Sequence, residues 1–196
     1  MFLWDWMQSV LQFFGFNRTA KIMIVGLDNA GKSTLLTMLK TGRAVQFPPT
    51  GQARCEEMTI GGLTIQAYDL GGHMTMRRVW LDYFPAVDGI VYIIDSADRE
   101  RLQESKNELS RIVEDPDIPP VPILILGNKT DKATAIGKEE LIMKFGLQCH
   151  LNQEARFQEA DDDTSQRRKC QLFMCSLLKK NGYGDAFRWL AKATNK

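Results

Sequence analysis

The run KIMIVG (21–26) leads straight into GLDNAGKS (26–33), and then into a segment where Leu35, Leu36 and Leu39 recur at helical spacing. An apolar strand, a tight glycine-bounded turn and a G-K-S helix start leave few folds open. The pattern G-x-x-x-x-G-K-[ST] in strand–helix context is a phosphate-binding loop. Its glycines let backbone N–H groups turn inward around a β-phosphate, helped by the positive end of the helix dipole. Asp28, Asn29, Ala30 and Gly31 line the turn, and Lys32 adds a point charge toward the β- and γ-phosphates. The Ser33 hydroxyl can ligate Mg²⁺, and Thr34 lies where it can meet an α-phosphate.

The phosphate loop predicts a nucleoside triphosphate without saying which. NKTD (128–131) ends an apolar run about 95 residues later, at a strand end where ligands bind in parallel sheets. Asp131 can accept hydrogen bonds from both N1–H and the exocyclic amine of guanine, a donor pair adenine lacks. Asn128 would tie this loop to the phosphate loop, with the stem of Lys129 over the base. In CSLL (175–178) the backbone of Ser176 and Leu177 can meet the guanine carbonyl. Between these motifs lies DLGGH (69–73). Asp69 can hold Mg²⁺ through water, and Gly72 can bring its N–H to a γ-phosphate because no Cβ blocks the approach. His73 then stands beside the attacking water, as the candidate catalytic residue. Thr50, in FPPT, is a second candidate Mg²⁺ ligand, gripping the ion when the γ-phosphate is present.

The remaining pattern places these motifs. EEMTI and LTIQAYDL flank Gly61-Gly62, a hairpin signal. GIVYIID (89–95), VPILILGNK (121–129) and QLFMC (171–175) read as further strands, and GDAFRWLAKAT (184–194) as a closing helix. The expectation is one α/β domain with a mostly parallel six-stranded sheet, flanked by helices and carrying one antiparallel edge strand. Residues 148–169 hold DDD (161–163) and RRK (167–169) and read as a solvated polar insertion. A formal net charge of +1 gives no global reason to expect nucleic-acid binding. Four cysteines without C-x-x-C spacing read as reduced thiols.

The front of the chain, MFLWDWMQSVLQFFGF, stands apart. Wound as a helix, it gathers Asp5, Gln8, Ser9 and Gln12 on one stripe, with Phe2, Leu3, Trp4, Trp6, Met7, Val10, Leu11, Phe13 and Phe14 around the rest. At about 24 Å of rise it is too short to span a bilayer. It lacks the basic n-region and small-residue cleavage site of a signal peptide. Position 2 is not the glycine of myristoylation, and ATNK holds no prenylation cysteine. A core-packing helix and an interfacial membrane helix both fit the pattern. Burying its apolar face is worth about 10–20 kcal/mol gross against an ordering cost of similar size, so net membrane binding should be modest and reversible. With no basic residue on the polar stripe, that binding rests on hydrophobic insertion.

These residues together resemble the Arf family of small GTPases, most closely its Sar branch, the GTPases of the COPII coat. The carriers are GLDNAGKST, Pro49-Thr50, DLGGH with histidine where Arf proteins usually have glutamine, GNKTD, FMCSLLKKNGYGDAFRW and the apolar N-terminus. The resemblance implies a P-loop small GTPase fold over residues 19–196, preceded by an amphipathic membrane-binding helix at 1–16. It implies Mg²⁺ as cofactor, bound GTP or GDP, and hydrolysis to GDP and phosphate stimulated by an activating protein. Implied partners are an integral-membrane exchange factor, the COPII inner coat subunits including the activator, and the endoplasmic reticulum membrane. The implied locations are the cytosol, the cytosolic face of that membrane and its exit sites, with the Golgi as an extension. Asp28 is bulkier than Ras-type proteins tolerate there but suits this family. Two stretches depart from the Sar pattern: Gly51-Gln52-Ala53-Arg54 replaces a second Pro-Thr, and the 148–169 insertion has no matched equivalent. The alternatives are a nucleotide-binding scaffold with negligible turnover, another Arf-family trafficking GTPase, or a nucleoside kinase, which would have no use for NKTD.

Overall fold

The computed structural model describes residues 18–45, 54–60, 63–69, 80–151 and 168–194. Its six strands are β1 (Arg18–Gly26), β2 (Arg54–Ile60), β3 (Leu63–Asp69), β4 (Gly89–Asp95), β5 (Ile123–Asn128) and β6 (Cys170–Met174). They form one sheet in the order β2-β3-β1-β4-β5-β6. Only the β2–β3 pair is antiparallel; β1 pairs in parallel with both β3 and β4, and β5 with β4 and β6. The helices are α1 (Lys32–Thr41), the short α2 (Trp80–Tyr83), α3 (Leu102–Glu114), α4 (Lys138–Phe145), the short α5 (Gln148–Leu151) and α6 (Tyr183–Ala193).

Strand alternation decides which helix covers which face, because successive side chains point to opposite sides of a sheet. Ile22, Ile24, Val91, Ile93, Leu124 and Leu126 pack against Leu35, Leu36 and Leu39 of α1 and Phe187 and Leu190 of α6. Their neighbours Met23, Val25, Ile90, Tyr92, Ile94, Ile123 and Ile125 face the other way, onto Trp80 of α2 and Phe84 just after it, Leu109 and Ile112 of α3, and Leu141 and Phe145 of α4. The runs 22–25, 90–94 and 123–126 at the heart of the sheet are therefore apolar at every position, as strand segments covered on both faces must be. Each such buried Leu or Ile contributes about 1.5–3 kcal/mol. Among the described residues, no helix is long and apolar enough to cross a membrane.

β1 begins three residues earlier than its apolar run, since Arg18, Thr19 and Ala20 pair with Leu63, Thr64 and Ile65 of β3. The hairpin partner, not hydrophobicity, extends the strand there. The 148–169 stretch also departs from a wholly solvated loop. Gln148–Leu151 makes one helical turn, and residues 152–167 lie outside the described residues. Just beyond them, the half-buried Arg168 guanidinium donates to the carbonyls of Ile112, Val113, Asp115 and Ile118. α3 ends as the chain turns extended at Asp115 (φ −69°, ψ 117°), which strands its last carbonyls. A guanidinium, with five donors in a fixed fork, satisfies several at once. Burial lowers the Arg168 pKa.

Candidate nucleotide site

The site forms where the strand order reverses around β1, at the carboxyl ends of the parallel strands, the usual place for a ligand in such a sheet. Its floor is the turn from β1 into α1. Gly26 has φ 139°, and a Cβ there would run into the backbone carbonyl of Ile93. Asn29 takes a left-handed conformation at φ 61°, and Gly31 has φ 111°. A Cβ on Gly31 would stand 2.5 Å from the amide nitrogen of Asn128, so only glycine lets the two loops approach this closely. Gly31 is also the N-cap of α1 and, being glycine, brings no side-chain cap to the helix start. No acidic residue stands in the first turn of α1. The first-turn N–H groups and helix dipole of such a start favour an anion.

Lys32 is buried, and its ammonium donates to the carbonyls of Gly26 (3.0 Å) and Leu27 (2.9 Å). Those two bonds hold the charge at the leading edge of the loop. Ser33 and Thr34 follow in the first turn of α1, half-buried. Asp28 meets an unforeseen partner: Arg101, the N-cap residue of α3, donates to both its carboxylate oxygens, at 2.6 and 3.1 Å. Arg101 also donates to Glu104 at 2.9 Å. The Arg101 hydrogen bond chiefly, and its charge, hold the Asp28 carboxyl below its ordinary value; the same bonds raise the Arg101 pKa.

The base side is organised by Asn128, which is buried at the end of β5. Its amide donates to the Ala30 carbonyl at 2.9 Å, and its oxygen accepts from the Leu177 N–H at 3.2 Å. One side chain thus joins the phosphate loop, NKTD and the loop after β6. Lys129 follows in a left-handed conformation (φ 67°), and its ammonium pairs with Asp95 at 2.6 Å. Asp131 accepts from the Ser176 hydroxyl, the largest of the influences that lower its pKa. Ser176 is buried, its hydroxyl also accepts from the Lys179 N–H at 3.0 Å, and Leu177 packs beneath Gly31. Lys180 reaches across to the Gly42 carbonyl at 2.7 Å, at the far end of α1.

The structure therefore brings together Asp28, Asn29, Ala30, Gly31, Lys32, Ser33, Thr34, Asn128, Lys129, Asp131, Ser176 and Leu177. The backbone of Asp69 is paired with Ile24 at the end of β3, two residues before the phosphate loop opens. Thr50, Gly72, His73 and the apolar residues of segment 1–16 lie outside the described residues. Arg101, Asp95 and Lys180 were not foreseen. Asp95 alone carried a signal, as an acid ending an otherwise apolar strand.

Mg²⁺ takes oxygen ligands and usually keeps waters and substrate phosphates in its shell instead of an all-protein cage. The donor chemistry here fits. The Ser33 hydroxyl stands on the first turn of α1, just after the glycine-bounded loop, and the β3 register carries Asp69 to the same end of the sheet. No cluster of three His, Cys, Asp or Glu able to hold a metal occurs among the described residues. The buried thiols of Cys170 and Cys175 are free and pushed up to about 12 by burial, which leaves them poor ligands and nucleophiles.

Comparisons with known proteins agree with this geometry. The model of the ADP-ribosylation factor family matches residues 7–194. The chain is 40% identical to the small COPII coat GTPase SAR1 of Giardia intestinalis, over 96% of this chain and 97% of that protein. It is 39% identical to the small COPII coat GTPase SAR1 of Nicotiana tabacum, over 98% of each. An ADP-ribosylation factor-like protein 8c of Arabidopsis thaliana is 37% identical over 79% of this chain and 84% of its own length. Among solved structures, the Arl6 BBS3 small GTPase of Trypanosoma brucei, determined with the nucleotide analogue GppNp, superposes with a TM-score of 0.73 at 25% identity, covering 90% of this chain and 97% of that one. The chain belongs to the ADP-ribosylation factor family of small GTPases.

Proposed function

We propose that this chain is the GTP-hydrolysing switch of a COPII-type coat, loading GTP to engage the endoplasmic reticulum membrane and releasing it on hydrolysis. The observation that carries the nucleotide assignment is the Asn128 bridge, which makes the phosphate loop and the Asp131 loop one continuous site. Asp131, Ser176 and Leu177 read the guanine edge, and Lys129, steadied by Asp95, covers the base. The N–H groups from Asp28 to Ser33 and the Lys32 ammonium cradle the phosphates. Ser33, Thr50 and Asp69 would hold Mg²⁺, which when bound offsets negative charge on the β- and γ-phosphate oxygens.

Hydrolysis adds water to the γ-phosphorus and breaks its bond to the β–γ bridging oxygen, giving GDP and phosphate. Positioning and electrostatics dominate this reaction. Gly72 would donate its N–H to the γ-phosphate, and His73 would orient the water. The sole arginine described at the phosphate loop, Arg101, is committed to Asp28 and Glu104. An arginine supplied in trans by an inner coat subunit is therefore the proposed accelerator, worth about 10³–10⁵-fold in comparable systems. An integral-membrane exchange factor would load GTP, and segment 1–16 would insert Phe2, Leu3, Trp4, Trp6, Met7, Val10, Leu11, Phe13 and Phe14 into the cytosolic leaflet.

The test is liposome flotation with GDP or a non-hydrolysable GTP analogue, with and without residues 1–16. Binding that needs both the analogue and the segment supports the proposal. Equal flotation in the two nucleotide states would refute it.

A further inference from the structure

The phosphate loop carries a carboxylate where an anion must dock. Lys32 grips the carbonyls of Gly26 and Leu27, and the lysine of this motif reaches the β- and γ-phosphates. The γ end of the site therefore lies beside Leu27, and Asp28 is the next residue. An ionised Asp28 facing that end would repel a triphosphate more than a diphosphate, since the γ-phosphate brings the additional charge nearest to it.

Arg101 answers this problem. Its guanidinium forks onto both Asp28 oxygens and is steadied from behind by Glu104. Both ion-pair side chains are about a third exposed, at 32% and 27%, so the pair stands at the rim of the site instead of in the core. Asp28 and Arg101 are 73 residues apart in the chain, on β1's loop and the start of α3. Neither residue's own element needs the contact: α1 starts after Asp28, and α3 buries Leu102, Leu109 and Ile112 without it.

We infer that Arg101 is a positioning residue for triphosphate selectivity: it neutralises and turns aside the Asp28 carboxylate, so that a γ-phosphate can occupy the loop. The inference rests on the guanine-nucleotide reading above. A lysine at 101 could supply charge but not the bidentate fork that fixes the carboxylate plane. Loss of Arg101 exposes the full carboxylate charge, and removing that charge at the same time cancels the loss.

The experiment measures the affinities of GDP and a non-hydrolysable GTP analogue for the full chain, Arg101→Ala, Asp28→Asn and the double variant. The expected result is that Arg101→Ala lowers the analogue-to-GDP affinity ratio about tenfold, as one nearby, partly screened charge would. Arg101→Lys should fall between, and the double variant should return to within about twofold of the unaltered chain. Equal loss of both nucleotides in Arg101→Ala would mean that the pair only holds the loop's shape, and would overturn the inference. So would a double variant as impaired as the single one. Failure of the unaltered chain to bind either guanine nucleotide is a separate result, which refutes the proposed function itself.

Discussion

The two ends of the nucleotide cleft are built from different materials. At the base end, the contacts that join the loops are neutral and buried, from Asn128 to Ala30 and to Leu177, and the Asp131 carboxylate is held beside them by the Ser176 hydroxyl. Even its ion pair, Lys129 with Asp95, is well covered, at 18% and 11% exposure. At the phosphate end, shape comes from backbone conformation, with Asn29 and Gly31 at positive φ, and charge comes from Lys32 and the Asp28–Arg101 pair at the rim. The difference matches the tasks. Telling guanine from adenine needs fixed donors and acceptors, which a desolvated network supplies. Telling three phosphates from two needs a balance of charges that one added anion can tip.

Breaking the base end should have the largest effect. In the proposed role, Asp131 accepts two charge-assisted hydrogen bonds from guanine, each worth about 1.5–3 kcal/mol, so Asp131→Ala should lower GDP affinity by about 10²–10⁴-fold. Titration against GDP and ADP checks this, and guanine selectivity that survives the change would break the assignment. Asn128→Ala should act on the fold as well as the ligand. It leaves the Ala30 carbonyl and the Leu177 N–H without their partner, a loss of about 2–4 kcal/mol readable from urea unfolding.

Arg168→Ala provides the contrast from outside the cleft. It strips donors from the carbonyls that end α3 and should lower stability by about 2 kcal/mol. Nucleotide affinity at 25 °C should stay within about twofold, because that clasp shares no partner with the cleft. The smallest effect is on acid stability. Asp28 and Asp131 are both held below the ordinary carboxylate range in the folded chain. The unfolded chain therefore takes up protons first as the pH falls. Their contributions are complete above about pH 5 and are lost progressively below about pH 4. Urea midpoints measured across that range should show a shallower decline for Asp28→Asn and Asp131→Asn than for the unaltered chain.

What the sequence made legible was local. GLDNAGKS, NKTD and CSLL can be read because each is a short backbone conformation with fixed residue demands, and the apolar strands announce their own burial. What it hid were contacts that fold topology alone creates. Arg101 is one of several charged residues in DRER, and nothing local points it at Asp28, 73 positions away. Arg168 looks like part of a solvated RRK run, yet the end of α3 recruits it to satisfy carbonyls. A four-residue helix such as Gln148–Leu151 is too short to show periodicity. The start of β1 at Arg18 depends on its partner β3, since RTA carries no strand pattern of its own.

Guanine-nucleotide binding in this cleft underlies each of the ligand predictions above. The most direct measurement is competition against a fluorescent guanine nucleotide bound to the full chain in the presence of Mg²⁺. GDP and GTP should displace it stoichiometrically at micromolar concentrations or below, while ATP at about a thousandfold excess should not, given the selectivity of sites that hydrogen-bond a substrate's polar edge. Displacement by ATP at concentrations equal to GTP would contradict it.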